Sequence, residues 1–169
     1  MCAAAAPGSS TGPAAAVAHL TVRVPTSVPA GGTVQIESRL HIASDGPRIL
    51  TGPALARILV MRYGTVVATS TGASAHYLMP LTLSGPSERA IPVLPTSVRL
   101  HGCAPDGGAS PLPAGQYSVV AVLGYRLDGL NLAPNAPADS GAMSPSRSAP
   151  TPDQQRFQLV SDPVTFTIA

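Results

Sequence analysis

Between Thr33 and Ile42 the chain alternates without a break. Val34, Ile36, Ser38, Leu40 and Ile42 fall on one side; Thr33, Gln35, Glu37, Arg39 and His41 fall on the other. Successive side chains of an extended chain point to opposite faces, so this pattern predicts a half-buried strand with its charges on the solvent side. Leu20, Val22 and Val24 alternate with Thr21 and Arg23 in the same way and predict a shorter strand. Leu55 to Met61 is apolar apart from Arg57 and rich in branched side chains, as a central strand is. Arg62-Tyr63-Gly64-Thr65 predicts a tight turn, with Val66 to Thr69 returning as a hairpin partner. In Tyr117 to Arg126, one face holds Tyr117, Val119, Ala121, Leu123 and Tyr125. Val120 and Val122 make the opposite face apolar too, so this strand is read as central.

Weaker extended stretches lie at His76–Leu83, Arg89–Leu94 and Val98–Leu100; Pro80, Pro92 and Pro95 confine the first two to edges or irregular pairing. Phe157 and Leu159 open the last strand. Ser161-Asp162-Pro163 interrupts it, as a bulge or a switch between sheets, before Val164, Phe166 and Ile168 resume the alternation. Pro25 to Gly32 reads as a turn-rich link, and Asp45-Gly46-Pro47 as a break. No stretch has the amphipathic pattern of a helix of ordinary length. The prediction is one all-β antiparallel sandwich of about seven to nine strands over residues 18–169.

Two segments carry no period. Residues 1–17 are almost wholly Ala, Gly, Pro and Ser and read as a flexible, disordered N-terminal tether. Residues 127–155 hold Pro134, Pro137, Pro145, Pro150 and Pro152 among small and polar residues. A connection of about 30 residues is unusual inside a compact domain and is commonly either functional or disordered; the plainer reading here is an insertion tolerated at the surface. Leu127, Leu130 and Leu132 are placed to anchor its first third.

Composition narrows the setting. Of 169 residues, 44% are hydrophobic, enough for a core, and only 11% are charged; 19 prolines and 16 glycines fit a chain of turns and short strands. All ten basic side chains are arginine, scattered from Arg23 to Arg156, and the net charge is +2. Nucleic-acid binding needs a basic stripe, so it is not expected. No apolar run is long enough for a transmembrane helix. Cys2, followed by small residues, matches the start of a mature bacterial lipoprotein and makes Cys2 a candidate lipid anchor. The plainer alternative is an incidental cysteine in an Ala-rich tail.

Three pieces resemble immunoglobulin-like domains of bacterial, actinobacterial-type exported proteins and lipoproteins. They are Ser27-Val28-Pro29-Ala30-Gly31-Gly32-Thr33-Val34-Gln35-Ile36, Leu112-Pro113-Ala114-Gly115-Gln116-Tyr117-Ser118-Val119-Val120-Ala121 and Val160-Ser161-Asp162-Pro163-Val164-Thr165-Phe166-Thr167-Ile168. The resemblance implies an immunoglobulin-like sandwich, related to fibronectin type III domains and to a bacterial proteinase inhibitor. It also implies that Tyr117 is a structural tyrosine corner, its hydroxyl bonding back to the upstream backbone. The chain has no tryptophan and no internal cysteine pair at antibody spacing, so it is not an antibody-type domain.

Candidate chemistry is sparse. Cys2 and Cys103 leave three states open: a lipid on Cys2, a Cys2–Cys103 bridge, or two free thiols. His101-Gly102-Cys103 supplies two of the usual four zinc ligands and reads as part of a loop. His19, His41, His76 and His101 lie far apart along the chain with no third-ligand pattern, so no metal or other cofactor is expected. There is no Gly-x-Ser-x-Gly elbow, and Asp45, Asp106, Asp128, Asp139, Asp153 and Asp162 read as turn formers rather than paired acids. The expectation is a monomeric, non-enzymatic binding or spacer module, extracellular or held at the cell envelope through Cys2. Its partner would be an unidentified protein or envelope component, met by the 127–155 segment. The alternative is an inhibitor or accessory domain that docks on a protease or another enzyme.

Overall fold

The computed structural model describes residues 4–43, 48–53, 56–70, 78–83, 87–90, 96–103, 109–127 and 157–169. Strands follow in chain order as β1 (Ala18–Arg23), β2 (Ser27–Val28), β3 (Thr33–Ile42), β4 (Arg48–Pro53), β5 (Arg57–Arg62), β6 (Thr65–Thr69) and β7 (Leu78–Leu83). After them come β8 (Ser87–Ala90), β9 (Thr96–Arg99), β10 (His101–Cys103), β11 (Ala109–Pro111), β12 (Gly115–Leu127), β13 (Phe157–Val160) and β14 (Val164–Ile168). The fold is an all-β sandwich.

In the first sheet β3 is central. It pairs antiparallel with β1, from Ala18↔Ile42 to Arg23↔Glu37, and with β8 and β9 on its second and first halves. The alternation read from the sequence is the alternation of burial: Val34, Ile36, Ser38, Leu40 and Ile42 are buried. In the second sheet β12 is the axis. It pairs with β5 on one edge and with β14 and then β13 on the other, and meets β4 at Arg126 and Leu127. β6 adds to β5, β7 to β4, and β10 with β11 forms a separate hairpin. The two inner faces share one core, in which Leu20, Leu40, Ile58, Val98, Leu159, Phe166 and Ile168 are almost fully enclosed.

Several local signals act as their chemistry requires. The β5–β6 hairpin turns on Tyr63 (φ 52°) and Gly64 (φ 76°), the doubly positive pair whose twist matches the flanking strands. Pro25 ends β1, and the chain then crosses to the other sheet. There Ser27–Val28, expected as part of a link, pairs parallel to β14. The interruption at Ser161-Asp162-Pro163 is a bulge and not a sheet switch, because β13 and β14 both lie on β12. Val120 and Ala121 face three residues there. Ser161 closes the gap: its N–H donates to the Ala121 carbonyl at 3.0 Å and its Oγ accepts the Ala121 N–H at 2.9 Å. Ser161→Ala orphans that buried N–H, so unfolding free energy is expected to fall by about 1–3 kcal/mol, read from the urea midpoint.

Tyr117 opens β12 with its ring between Phe166 (centroids 5.9 Å apart) and the Arg62 guanidinium (5.1 Å), and its hydroxyl donates to the Pro113 carbonyl at 2.7 Å. That bond ties the turn before β12 to the strand. Tyr117→Phe keeps the ring and loses the bond, so about 1 kcal/mol of stability is expected to go, with the fold retained.

Residues 4–17 depart from the sequence reading. Their described part does not trail from the sandwich as a tether; it lies along it, as detailed below. A segment without bulky side chains builds no core of its own, which is why it reads as free chain. The same smallness lets its backbone lie flat on a surface that is already apolar and bond to strand edges. Cys2 and residues 128–156, which make up nearly all of the long connection, lie outside the described residues.

Candidate functional site

A sandwich sheet that faces water on one side normally carries polar residues there. The sheet built on β12 does so at Arg57, Thr165 and Thr167 but not in its middle. Val120 and Val122 point away from the core, as do Leu59 and Met61 of β5 and Val66 of β6; all five are buried. With Val160 of β13 they form a second apolar cluster on the outer face.

The N-terminal segment crosses this face. It begins at the tip of β6, where the Val66 N–H donates to the Ala4 carbonyl at 2.9 Å and the Ala6 N–H to the Gly64 carbonyl at 3.1 Å. It ends on β13. There Ser10 Oγ accepts the Val160 N–H at 2.8 Å and donates to the Val160 carbonyl at 3.2 Å, and the Thr11 N–H donates to the Gln158 carbonyl at 2.8 Å. The segment thus forms a strap from β6 to β13.

Beyond the strap, Gly12 (φ 83°) turns the chain inward, and a 3-10 turn over Pro13–Ala16 inserts the fully buried Ala14 into the core. Tyr125 locks this entry. Its hydroxyl donates to the Thr11 carbonyl at 2.8 Å and accepts the Ala14 N–H at 3.0 Å.

Between strap and sheet lies an open groove of about 460 Å³. Met61, Val120 and Val160 form its apolar floor, and Pro7, Gly8 and Ser9 lie along the strap side. His19 and Asp162 stand at its rim with Nε2 and Oδ2 3.6 Å apart; their side chains are 58% and 86% exposed, so the pair is a solvated one. The groove has a neutral floor and one polar pair at its mouth. Such a lining suits contact with an apolar group carrying a polar end.

The residues singled out from the sequence are dispersed. Tyr117 lies at the start of β12, away from the groove. Cys103 ends β10 rather than lying in a loop. His101 begins that strand, and its buried Nδ1 has no hydrogen-bond partner among the described residues. His76, Asp45, Asp106, Asp128, Asp139 and Asp153 lie outside the described residues. Of the aspartates, Asp162 does reach the groove, from the β13–β14 bulge. The strap residues were missed. The available signal was the doubly apolar face of β12, since an outward Val120 and Val122 need a cover.

Among the described residues no helix is long and apolar enough to cross a membrane. Set against protein-family models, curated proteins and solved structures, the chain matches none of them.

Proposed function

We propose that this chain is a non-enzymatic, immunoglobulin-like binding module of the cell envelope or extracellular space. Its contact surface is the strap-covered groove on the outer face of β5, β12 and β13. The observation that supports this reading is the second apolar cluster. The strap of small residues buries this cluster and still leaves an open groove above Met61, Val120 and Val160, with room for a partner's side chain or ligand.

The test uses the strap. Gly8 lines the groove and a Cβ built on it meets no atom within 4 Å, so Gly8→Trp adds a bulky ring to the strap without a clash at the backbone. Purified protein is expected to sediment with cell-envelope material from its own source, and Gly8→Trp to lose that association while keeping its melting temperature. Equal sedimentation of both proteins overturns the assignment of the surface, and no sedimentation of either overturns the envelope-binding reading. A stoichiometric block of one class in a protease panel would replace it with the inhibitor reading. The envelope setting is tested by mass spectrometry of the native N-terminus: a diacylglycerol adduct on Cys2 is expected, and an unmodified Met1 sinks the anchor.

A further inference from the structure

The strap is fastened at its ends and not along its middle. At β6 it makes two backbone bonds about the Ala5–Thr65 bridge: the Val66 N–H donates to the Ala4 carbonyl and the Ala6 N–H to the Gly64 carbonyl. At β13 it makes one, from the Thr11 N–H to the Gln158 carbonyl, and two hydroxyls supply the rest. Ser10 Oγ bonds both backbone groups of Val160, and Thr11 Oγ1 accepts the Gln158 N–H at 3.2 Å. In between, among the described residues, the Gly8 and Ser9 carbonyls accept from the Gln158 side-chain amide at 3.4 Å, longer than an ordinary bond.

The groups that hold the strap are indifferent to sequence. A strand edge offers its N–H and carbonyl groups to any extended chain, and side chains decide which chain fits best. The strap uses these groups without filling the groove, because its largest apolar side chain is that of Pro7. Met61, Val120 and Val160 therefore keep an open space above them. A chain that made the same backbone bonds and set one large apolar side chain into that space would bind about ten- to a hundredfold more tightly. It could not bind beside the strap, since the Val66 and Val160 N–H groups each have one proton to give.

We propose that the strap is a built-in stand-in for the ligand, and that the ligand is an extended peptide segment of another protein with one bulky, uncharged apolar side chain. The segment displaces the strap from the β6 and β13 edges and seats that side chain on the floor of Met61, Val120 and Val160. This rests on the groove being the contact surface. The strap is tethered, so it competes at an effective concentration on the order of millimolar, and only a segment with the anchoring side chain overcomes it.

The probes are two labelled synthetic peptides of residues 4–11, one with the chain's own sequence and one carrying Gly8→Leu, followed by fluorescence anisotropy against the full chain. Ser10→Ala loosens the strap by removing its bonds to Val160, and Gly12→Ala releases it through strain at that turn. The Gly8→Leu peptide is expected to bind both variants at least about tenfold more tightly than it binds the native protein, and at least about tenfold more tightly than the unaltered peptide does. In the native protein, saturating Gly8→Leu peptide is expected to speed hydrogen exchange at the strap's own Ala6 amide while the Val66 amide stays protected. Equal affinity for the native protein and both variants, or an Ala6 amide still protected at saturation, overturns displacement. Failure of all three proteins to bind either peptide overturns the peptide ligand. The groove itself survives that result if Gly8→Trp still abolishes sedimentation with envelope material, and falls with it if not.

Discussion

Gly12→Ala is expected to strip the strap from the sandwich without unfolding the sandwich itself. Gly12 holds φ 83° and ψ −179°, a region that is essentially glycine's alone, and forcing alanine there costs about 1–3 kcal/mol in backbone strain. Sterics add to this. A Cβ at Gly12 would sit 2.4 Å from two ring carbons of Phe157 and 2.6 Å from the Tyr125 hydroxyl. Neither neighbour can yield cheaply. Phe157 packs against Tyr125 at 5.5 Å between ring centroids, and the hydroxyl is the lock that holds Thr11 and Ala14. Relief comes from releasing the segment. Hydrogen exchange at the Ala6 and Thr11 amides, both bonded to the sandwich in the native state, should accelerate to near the unfolded rate, while amides inside β12 stay protected. The uncovered outer cluster should then bind a hydrophobic dye. Unchanged protection at Thr11 would show that the turn can absorb a side chain.

Phe166→Ala should have the largest effect on global stability. Phe166 is 2% exposed and lies directly opposite Tyr117 in the β12–β14 ladder, where their rings meet. Removing the ring leaves a cavity between the two sheets and deprives Tyr117 of its partner. The expected loss is about 3–5 kcal/mol, which lowers the melting temperature by on the order of 10 °C in a domain of this size. The urea midpoint should fall with little change in slope, because the native and unfolded surfaces are otherwise the same.

The strands that carry the core were legible because burial writes itself into period two. The alternation over Thr33–Ile42, the doubly apolar Tyr117–Arg126 stretch and the break at Ser161 each have a direct structural counterpart. The elements that were missed have weaker local signals. Ser27–Val28 is two residues long and hidden among prolines and glycines, and it becomes a strand only because β14 offers a parallel partner. Arg48–Pro53 ends in Thr-Gly-Pro, which reads as a turn until β7 pairs with it. His101–Cys103 follows the same logic, with β11 supplying the partner.

The candidate groove was least legible of all. Its floor was visible as Val120 and Val122, but its wall is Pro7, Gly8 and Ser9, residues whose chemistry says nothing about where they lie. Their position comes from backbone bonds to Gly64, Val66 and Gln158 and from the Tyr125 hydroxyl, and such long-range partners leave no trace in local composition.

The docked strap would also set how far the module could stray from an anchor at Cys2. Seventeen residues of free chain would let it roam through about 60 Å. With Ala4 bonded beside Thr65 and Val66, Cys2 stands only two residues from a fixed point, about 7 Å of chain. A module fastened there is mounted rather than leashed. Were the chain fastened at Cys2, the β5–β6 hairpin, with Tyr63 92% exposed at its tip, would be the part of the sandwich bonded nearest to that point along the chain.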